Sequence, residues 1–470
     1  MIVKLGLRLR IFLLFSAVAV ASLCIVGGAL YVGYTKALAD GLLTGFLQAG
    51  IIAGFGLLAV SVVIWLLFDE NVAKPLQHIS SAIRTRTHAD VDVEIDLGAA
   101  KYLGDIAPAA IAATGRFFQM QTGSESASAD DKARIREERS QLALLLSEIP
   151  LAIVLLGPNF KISLYDGQAA TVLGLVHVPR LAASIFDYFE EEQLRPALMT
   201  LGPHKSETVA QVAGVGCEMS FQLRLKKLGD AAGYMILIDE ATTTLKPSES
   251  RGLIYDFSAL QTGTEKALYQ RPLRELSFMV FDSETTGLMP SKDDIVQIGA
   301  VRVVGGRIIP GEELDLLVNP GRPIPPSSTK VHGISDLMVI GAPDCVTATS
   351  LLHGFARDAV IVAHNAPFDM AFVNRYAKIS GDQWDHPILD SVLLSAVVFG
   401  AEQEHTLDAL CQRLGITIAE EVRHTALGDA LATGEALCKL LPILQSRGYD
   451  TLEKVIEQTR KYGRLLKDMN

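Results

Sequence analysis

The sequence predicts a multidomain chain: two N-terminal transmembrane helices, then an α+β domain, then a C-terminal α/β domain built on a mixed sheet. Two long apolar stretches open it, a middle region alternates polar and apolar residues at a period of two, and the last part interleaves strand runs with helical ones. At 470 residues the chain is too long for one domain.

Residues 11–34 are almost entirely apolar or small and carry no charge, and residues 46–68 repeat the pattern with Gln48 as their one strongly polar member. Each run is long enough to cross about 30 Å of hydrocarbon as a helix. A cleaved signal peptide fits poorly, because the first run exceeds an h-region and a second span follows at once. Lys4, Arg8 and Arg10 precede the first span and Lys74, Arg84 and Arg86 follow the second, while the intervening loop, residues 35–45, offers Lys36 and Asp40. The positive-inside rule therefore puts both termini in the cytoplasm, with the lipid bilayer as a partner.

Residues 1–70 are thus an anchor, and 71–131 a juxtamembrane connector. Pro75 is followed by Leu76, Ile79 and Ile83 at helical spacing and then by alternating Val91, Val93 and Ile95, which resembles the first half of a HAMP linker. Residues 105–120 are Ala-rich without a clear heptad, and 121–131, rich in Ser, Gly, Ala and Asp, read as a flexible break. Cys24, Cys217, Cys345, Cys411 and Cys438 show neither metal-ligand spacing nor a clustered framework, and fit a reducing compartment as inert thiols.

The middle domain is expected over residues 132–242. A charged helix at 132–149 turns apolar at Leu142, Leu145, Leu146 and Ile149. Residues 152–156 and 161–165 form a hairpin, and small helices follow at 168–173 and 184–189. Phe221, Leu223 and Leu225 alternate with Gln222, Arg224 and Lys226 in a half-buried strand, and residues 234–238 pair back on it. This order of helix, hairpin, short helices and antiparallel strands resembles a PAS domain. The resemblance implies a sensory or relay module and a homodimer through the domain and its leading helix. His177 and His204 are lone histidines, a poor basis for haem ligation. Residues 243–275 read as a linker with a short helix near 253–260.

Residues 278–287 read Phe-Met-Val-Phe-Asp-Ser-Glu-Thr-Thr-Gly. An apolar strand delivers Asp282 and Glu284 to its end, where side chains two apart leave the same face. Like charges this close raise one another's pKa, so the pair suggests a divalent cation that cancels the repulsion. Two further strands flank a turn at Gly305 and Gly306 and add an antiparallel edge. Residues 360–363 form a buried strand leading into His364-Asn365-Ala366-Pro367-Phe368-Asp369, so Asp369 opens a helix. His424 precedes a last helix and Asp429 lies inside it.

These segments resemble the three motifs of the DEDDh 3′–5′ exonucleases, the proofreading epsilon subunit of bacterial DNA polymerase III and its relatives: Asp282 and Glu284 in Asp-Ser-Glu-Thr-Thr-Gly, Asp369 in His-Asn-Ala-Pro-Phe-Asp, and His424 with Asp429 in His-x-Ala-x-x-Asp. Val331-His332-Gly333-Ile334-Ser335, Leu389-Asp390-Ser391-Val392 and the run from His405 to Ile416 agree with it. The one visible departure is Ser283, where the family often has Thr or another residue. The resemblance covers residues 276–441 and implies a ribonuclease H-like exonuclease domain over 276–445, followed by a C-terminal helix at 446–470. It also makes the expected membrane the bacterial inner (cytoplasmic) one, with a multi-pass chain and the catalytic domain on the cytoplasmic side.

Four carboxylates can hold two divalent cations, Mg²⁺ or Mn²⁺, about 4 Å apart for in-line displacement at a phosphodiester. By the resemblance, Asp282, Glu284 and Asp429 hold the first ion, Asp282 bridges to the second, and Asp369 supports the second through water. His424 is the expected general base, since an imidazole titrates near neutrality. Thr285, Gly287 and Leu288 are expected to receive the terminal nucleotide, with His332, Asn365 and Phe368 either beside it or bracing the second motif and its facing loop. The expected substrate is a single-stranded nucleic-acid 3′ end, DNA favoured. At a net charge of −11 the chain lacks a broad basic surface for coating a duplex, so contact should be local. An RNA exonuclease or oligoribonuclease shares these motifs, and a non-cleaving membrane sensor that binds nucleotides is the alternative of another class.

Overall fold

The protein is seen as a computed structural model that describes residues 7–40, 42–88, 152–202, 205–216, 219–228, 233–238, 254–255, 267–419 and 423–470. Val91, Val93, Ile95, the 105–120 segment, the 121–131 break, the 132–149 helix and His204 lie outside them. The chain divides into two units, Met1–Gly123 and Ser124–Asn470.

In the first unit, α1 (Leu7–Asp40) and α2 (Leu42–Phe68) form a hairpin, and one π-helical turn (Asp69–Ala73) joins α2 to α3 (Lys74–His88). The loop expected over 35–45 is instead almost wholly helical, because Leu38, Leu42 and Leu43 offer no turn chemistry outside Asp40-Gly41. Small residues set the seam. A Cβ on Gly33 would stand 2.6 Å from Ala49 Cβ, and one on Gly45 would stand 2.4 Å from the Gly33 carbonyl oxygen. Backbones come this close only where side chains are minimal, the packing that suits helices in lipid. Leu23, Leu43, Phe46, Phe55 and Trp65 face outward, and two helical stretches, Ser16–Leu38 and Leu42–Thr87, are long and apolar enough to cross a membrane.

The second unit begins with a hairpin, β1 (Ala152–Leu156) and β2 (Ile162–Tyr165). Asp166 caps α4 (Gly167–Gly174), accepting from Ala169 N at 2.7 Å and also from Ile153 N at 3.1 Å. Residues expected as a helix at 184–189 form only a 3-10 turn, Ile185–Asp187, started by Ser184. Then come α5 (Glu191–Met199), β3 (Glu207–Ala213), β4 (Ser220–Lys227) and β5 (Tyr234–Ile238). The sheet is antiparallel in the order β3-β4-β5-β1-β2-β6, where β6 is Ile254–Tyr255. These two residues are strand where a helix was expected, since Tyr165 and Leu164 on β2 offer an open edge for Ile254 and Tyr255 to pair with. Phe221, Leu223 and Leu225 on β4 are buried and their neighbours exposed, as alternation dictates.

The second sheet holds β7 (Ser277–Thr285), β8 (Ile295–Val304) and β9 (Arg307–Leu317), with β8 antiparallel to both neighbours. Gly305 and Gly306, at φ +60° and +74°, make the β8–β9 turn in the left-handed region that glycine tolerates. After α6 (Pro326–His332) and α7 (Cys345–Ala356), β10 (Val360–Ala363) runs parallel to β7. Next come α8 (Ala366–Ser380) and the parallel edge strand β11 (Ile388–Asp390). The order β11-β10-β7-β8-β9 is a mixed sheet. α9 (Ser391–Phe399), α10 (Leu407–Arg413), α11 (Ala426–Ser446) and α12 (Leu452–Thr459) complete the unit.

The C-terminal helix expected over 446–470 is confined to α12 and a 3-10 turn, Arg460–Tyr462. The remaining residues return to the sheet, where the Asn470 side chain accepts from Ile388 N at 3.1 Å and donates to Ile388 O at 2.6 Å. A side-chain amide thus occupies the free edge of β11, where an unpaired strand would invite another chain.

The two sheets share one interior. Val304 on β8 and Ile309 on β9 belong to the same buried cluster as Leu156, Ile162, Leu173 and Ile185 of the first sheet. Between the sheets lie Arg180, Arg302 and Glu312, each at most 1 % exposed. Arg302 lies 3.4 Å from Glu312 and donates to Phe355 O at 3.1 Å, and Arg180 pairs with Asp187 and donates to Arg357 O at 3.1 Å.

Candidate active site

Strand β7 carries Asp282 and Glu284 on one face, and its neighbour β8 shapes the floor opposite them. Gly299 stands across from Asp282 in the ladder. A Cβ there would lie 2.1 Å from Leu427 N, so the first turn of α11 rests directly on the β8 backbone. Gln297, across from Glu284, accepts from Ala426 N at 3.2 Å and donates to Asp315 at 2.7 Å, tying the same helix end to β9. Thr425 caps α11 through Gly428 N at 3.1 Å. These three contacts place Asp429, in the first turn, over the strand end.

Asp369 reaches the site from the first turn of α8. That turn begins at Asn365, whose φ of +68° is left-handed, and Asp390 holds it by accepting from Ala366 N at 2.6 Å and Asn365 N at 3.4 Å. Asp369 and Asp429 each sit at the fourth helical position, where the helix N-terminus favours negative charge.

Carboxylate oxygens of Asp282, Glu284 and Asp429 lie within 4.8 Å of one another. Asp369 is 2 % exposed and its Oδ1 accepts from Ser283 Oγ at 2.5 Å. Burial and then the charges of Asp369, Asp429 and Glu284 hold the Asp282 carboxyl well above its usual range. Glu284 is pushed up to about 8 by burial, then by Asp429 and Asp369, and Asp369 to about 7, chiefly by burial. Burial also raises Asp429, against the opposing charge of His424. Mutual repulsion among oxygen donors in a half-buried cradle is the chemistry that hard divalent cations relieve, so the residues fit such ions.

His424 lies outside this carboxylate cluster, exposed, in a left-handed conformation at φ +59° directly before the Thr425 cap. Thr285 is buried and donates to Gly287 O at 2.8 Å, fixing the turn beyond the acids. A Cβ on Gly287 would meet the Asp293 carboxylate at 2.6 Å, so that side chain would have to move to admit one, and Leu288 beside it is 82 % exposed. Asn365 is exposed with no side-chain capping bond, and Phe368 packs edge-on to Phe372. His332 ends α6 as a buried residue whose Nδ1 accepts from Ile334 N at 3.1 Å, and burial lowers its pKa. Sequence reasoning gave no role to Gln297, Gly299 or Ser283. The glycine within an otherwise apolar strand was the available signal, since it marks a close backbone approach.

Residues 279–437 match the Exonuclease family (RNase_T). Along 99 % of its length this chain is 31 % identical to a DNA polymerase III subunit epsilon-like protein of Rhodobacter capsulatus, and it covers 99 % of that relative. The chain belongs to the DNA polymerase III epsilon-like exonucleases. It is a 3′–5′ exonuclease of the DEDDh type. It is also similar to the PolC-type DNA polymerase III of Bacillus cereus, at 33 % identity over 38 % of this chain, and of Bacillus subtilis, at 34 % over 41 %. It spans only 12 % and 14 % of those two polymerases. Among solved structures, exonuclease I aligns at 19 % identity and a TM-score of 0.33 over 37 % of this chain and 42 % of that one. Escherichia coli exonuclease I in complex with a dT13 oligonucleotide aligns at 20 % and 0.32, over 37 % and 42 %.

Proposed function

We propose that this exonuclease is anchored in the bacterial inner membrane with its catalytic domain in the cytoplasm, removing nucleoside 5′-monophosphates from single-stranded 3′ ends, DNA in preference to RNA. The observation that carries the reading is the convergence of Asp282, Glu284 and Asp429, from two elements, within 4.8 Å. Asp282, Glu284 and Asp429 would hold one divalent cation, with Asp282 shared and Asp369 supporting a second. Two Mg²⁺ or Mn²⁺ ions supply Lewis acidity at the scissile phosphate and at the leaving 3′ oxygen. His424 takes the proton of the attacking water, and its exposed position in front of the α11 cap leaves it free to approach a bound strand end. Gly287 lets the terminal nucleotide approach backbone, Leu288 offers an apolar surface to its base, and Thr285 holds the turn that presents both. His332, Asn365 and Phe368 line the approach.

The first sheet supports the PAS-like reading, in which a sensory module over residues 132–242 sits between the 1–70 anchor with its 71–131 connector and the nuclease at 276–445. Its hairpin, short helical segments and antiparallel strands follow the expected order, and its core contains Val304 and Ile309 of the nuclease sheet. That shared interior is a route by which the module, as a homodimer, would regulate hydrolysis. End-labelled single-stranded DNA, RNA and dinucleotides, incubated with the solubilised chain and Mn²⁺ beside an Asp282→Ala control, test the substrate. Faster hydrolysis of RNA or dinucleotides than of DNA would replace the DNA reading with the ribonuclease one. Recovery of the protein in the soluble fraction, without detergent, would remove the anchor.

A further inference from the structure

Side chains alternate along β7, so Asp282 and Glu284 face the carboxylate cluster while Ser283 points to the other side of the strand. It is 7 % exposed, and its hydroxyl does not go to backbone. It reaches Asp369, 86 residues later, with Oγ 2.5 Å from Oδ1. A serine hydroxyl has one proton to donate and an ionised carboxylate only accepts, so in the ionised, cation-binding form of Asp369 the bond runs from Ser283 to Asp369. Among the described residues it is the one side-chain hydrogen bond between the strand bearing Asp282 and Glu284 and the helix bearing Asp369, beside the apolar packing of Phe281 and Met370 in a shared core.

We infer that Ser283 is a positioning residue for cation binding: its hydroxyl commits Asp369 Oδ1 to the protein and fixes the orientation in which that carboxylate meets the site. The inference rests on the reading of the four carboxylates as a divalent-cation site. Without the hydroxyl, Asp369 keeps only the backbone N–H groups of Ser283 and of Asp369 itself as donors, and Oδ1 loses the side-chain donor that fixes which oxygen faces a cation. Groups that orient a ligand in this way typically change metal affinity by about 10- to 100-fold when removed.

The test is direct Mn²⁺ binding to the solubilised full chain, read from the electron paramagnetic resonance signal of free Mn²⁺, together with the Mn²⁺ concentration that gives half-maximal exonuclease rate. Ser283→Ala should weaken binding and raise the half-maximal concentration by roughly tenfold or more, while KM for the oligonucleotide at saturating Mn²⁺ stays unchanged. Ser283→Thr, which keeps the hydroxyl, should restore both, and Ser283→Cys, a weaker donor, should fall between. Wild-type Mn²⁺ affinity in Ser283→Ala overturns the inference, as does a loss that Thr fails to restore, for then packing and not the hydroxyl is at work. Asp282→Ala separates the two levels. If it binds Mn²⁺ as the wild type does, the cation-site reading itself fails; if it loses binding while Ser283→Ala does not, only the role of Ser283 fails.

Discussion

The Tyr165 hydroxyl donates to Glu312 Oε1 at 2.7 Å, joining the two sheets across 147 residues of sequence. Leu181 N donates to the same oxygen, and Arg302 lies 3.4 Å from the other. Burial raises the Glu312 carboxyl, and Arg302 opposes that shift; burial and the charge of Glu312 raise the Tyr165 phenol. Removing one partner of a buried pair leaves a charge without compensation. Glu312→Ala should therefore destabilise the unit by about 3–5 kcal/mol, and Tyr165→Phe by roughly 1–2 kcal/mol. Thermal melting of the solubilised chain checks both. Equal melting temperatures for Glu312→Ala and wild type would mean that the junction is dispensable.

Stability should depend on pH and cations together. Glu284 rises from 4.5 to about 8 and Asp369 from 3.8 to about 7. Each carboxyl binds its proton more tightly folded than unfolded, so its contribution is full below the unfolded value and is lost as pH climbs through the folded one. Cation-free protein should melt at a lower temperature at pH 8.5 than at pH 5.5. Because cations compete with these protons, Mn²⁺ should raise the melting temperature far more at pH 8.5. Melting curves with chelator and with Mn²⁺ at both pH values decide it, and an equal gain at both would contradict it.

Gly299→Ala should disable catalysis without touching a carboxylate. The new methyl would overlap Leu427 N, and the first turn of α11 must lift, carrying Asp429 away from Asp282. A shift of about 1 Å at a reacting site can cost roughly 100-fold in rate. Single-turnover hydrolysis at saturating Mn²⁺ measures it, and a near-normal rate would show that the helix relaxes in place.

Much of the site was legible because metal chemistry restricts residue types. Asp282, Glu284, Asp369 and Asp429 stand at strand ends and helix starts that apolar runs and turn residues predict. The supporting groups were not legible. Ser283 gains its role from a partner 86 residues away, and Gln297 and Gly299 gain theirs from the start of α11, with Gln297 also held by Asp315 on β9, and no local pattern encodes such contacts. In the fold, β3 escaped because Glu207, Val209 and Gln211 alternate against small Thr208 and Ala210, a weak apolar face. The tail misled for a related reason: its charged, helix-favouring residues lose to one asparagine that satisfies the edge of β11.

Asp390→Ala should loosen the start of α8. It leaves Ala366 N and Asn365 N without their acceptor beside a strained, left-handed Asn365, at a cost of about 1–3 kcal/mol. Asp390→Asn, which keeps one acceptor oxygen, should recover part of this. Hydrogen exchange at Ala366 reports the change, and protection equal to wild type would assign the capping elsewhere.

The shared interior at Val304 and Ile309 also constrains how this architecture is inherited. The nuclease sheet completes the first domain's core instead of merely following it in the chain. A recombination event that exchanged the first domain alone would strand an arginine, a glutamate and two aliphatic side chains against a foreign surface. The two domains are therefore transmissible as a matched pair, and swaps that preserve folding must cross over upstream of β1 or carry β8 and β9 along.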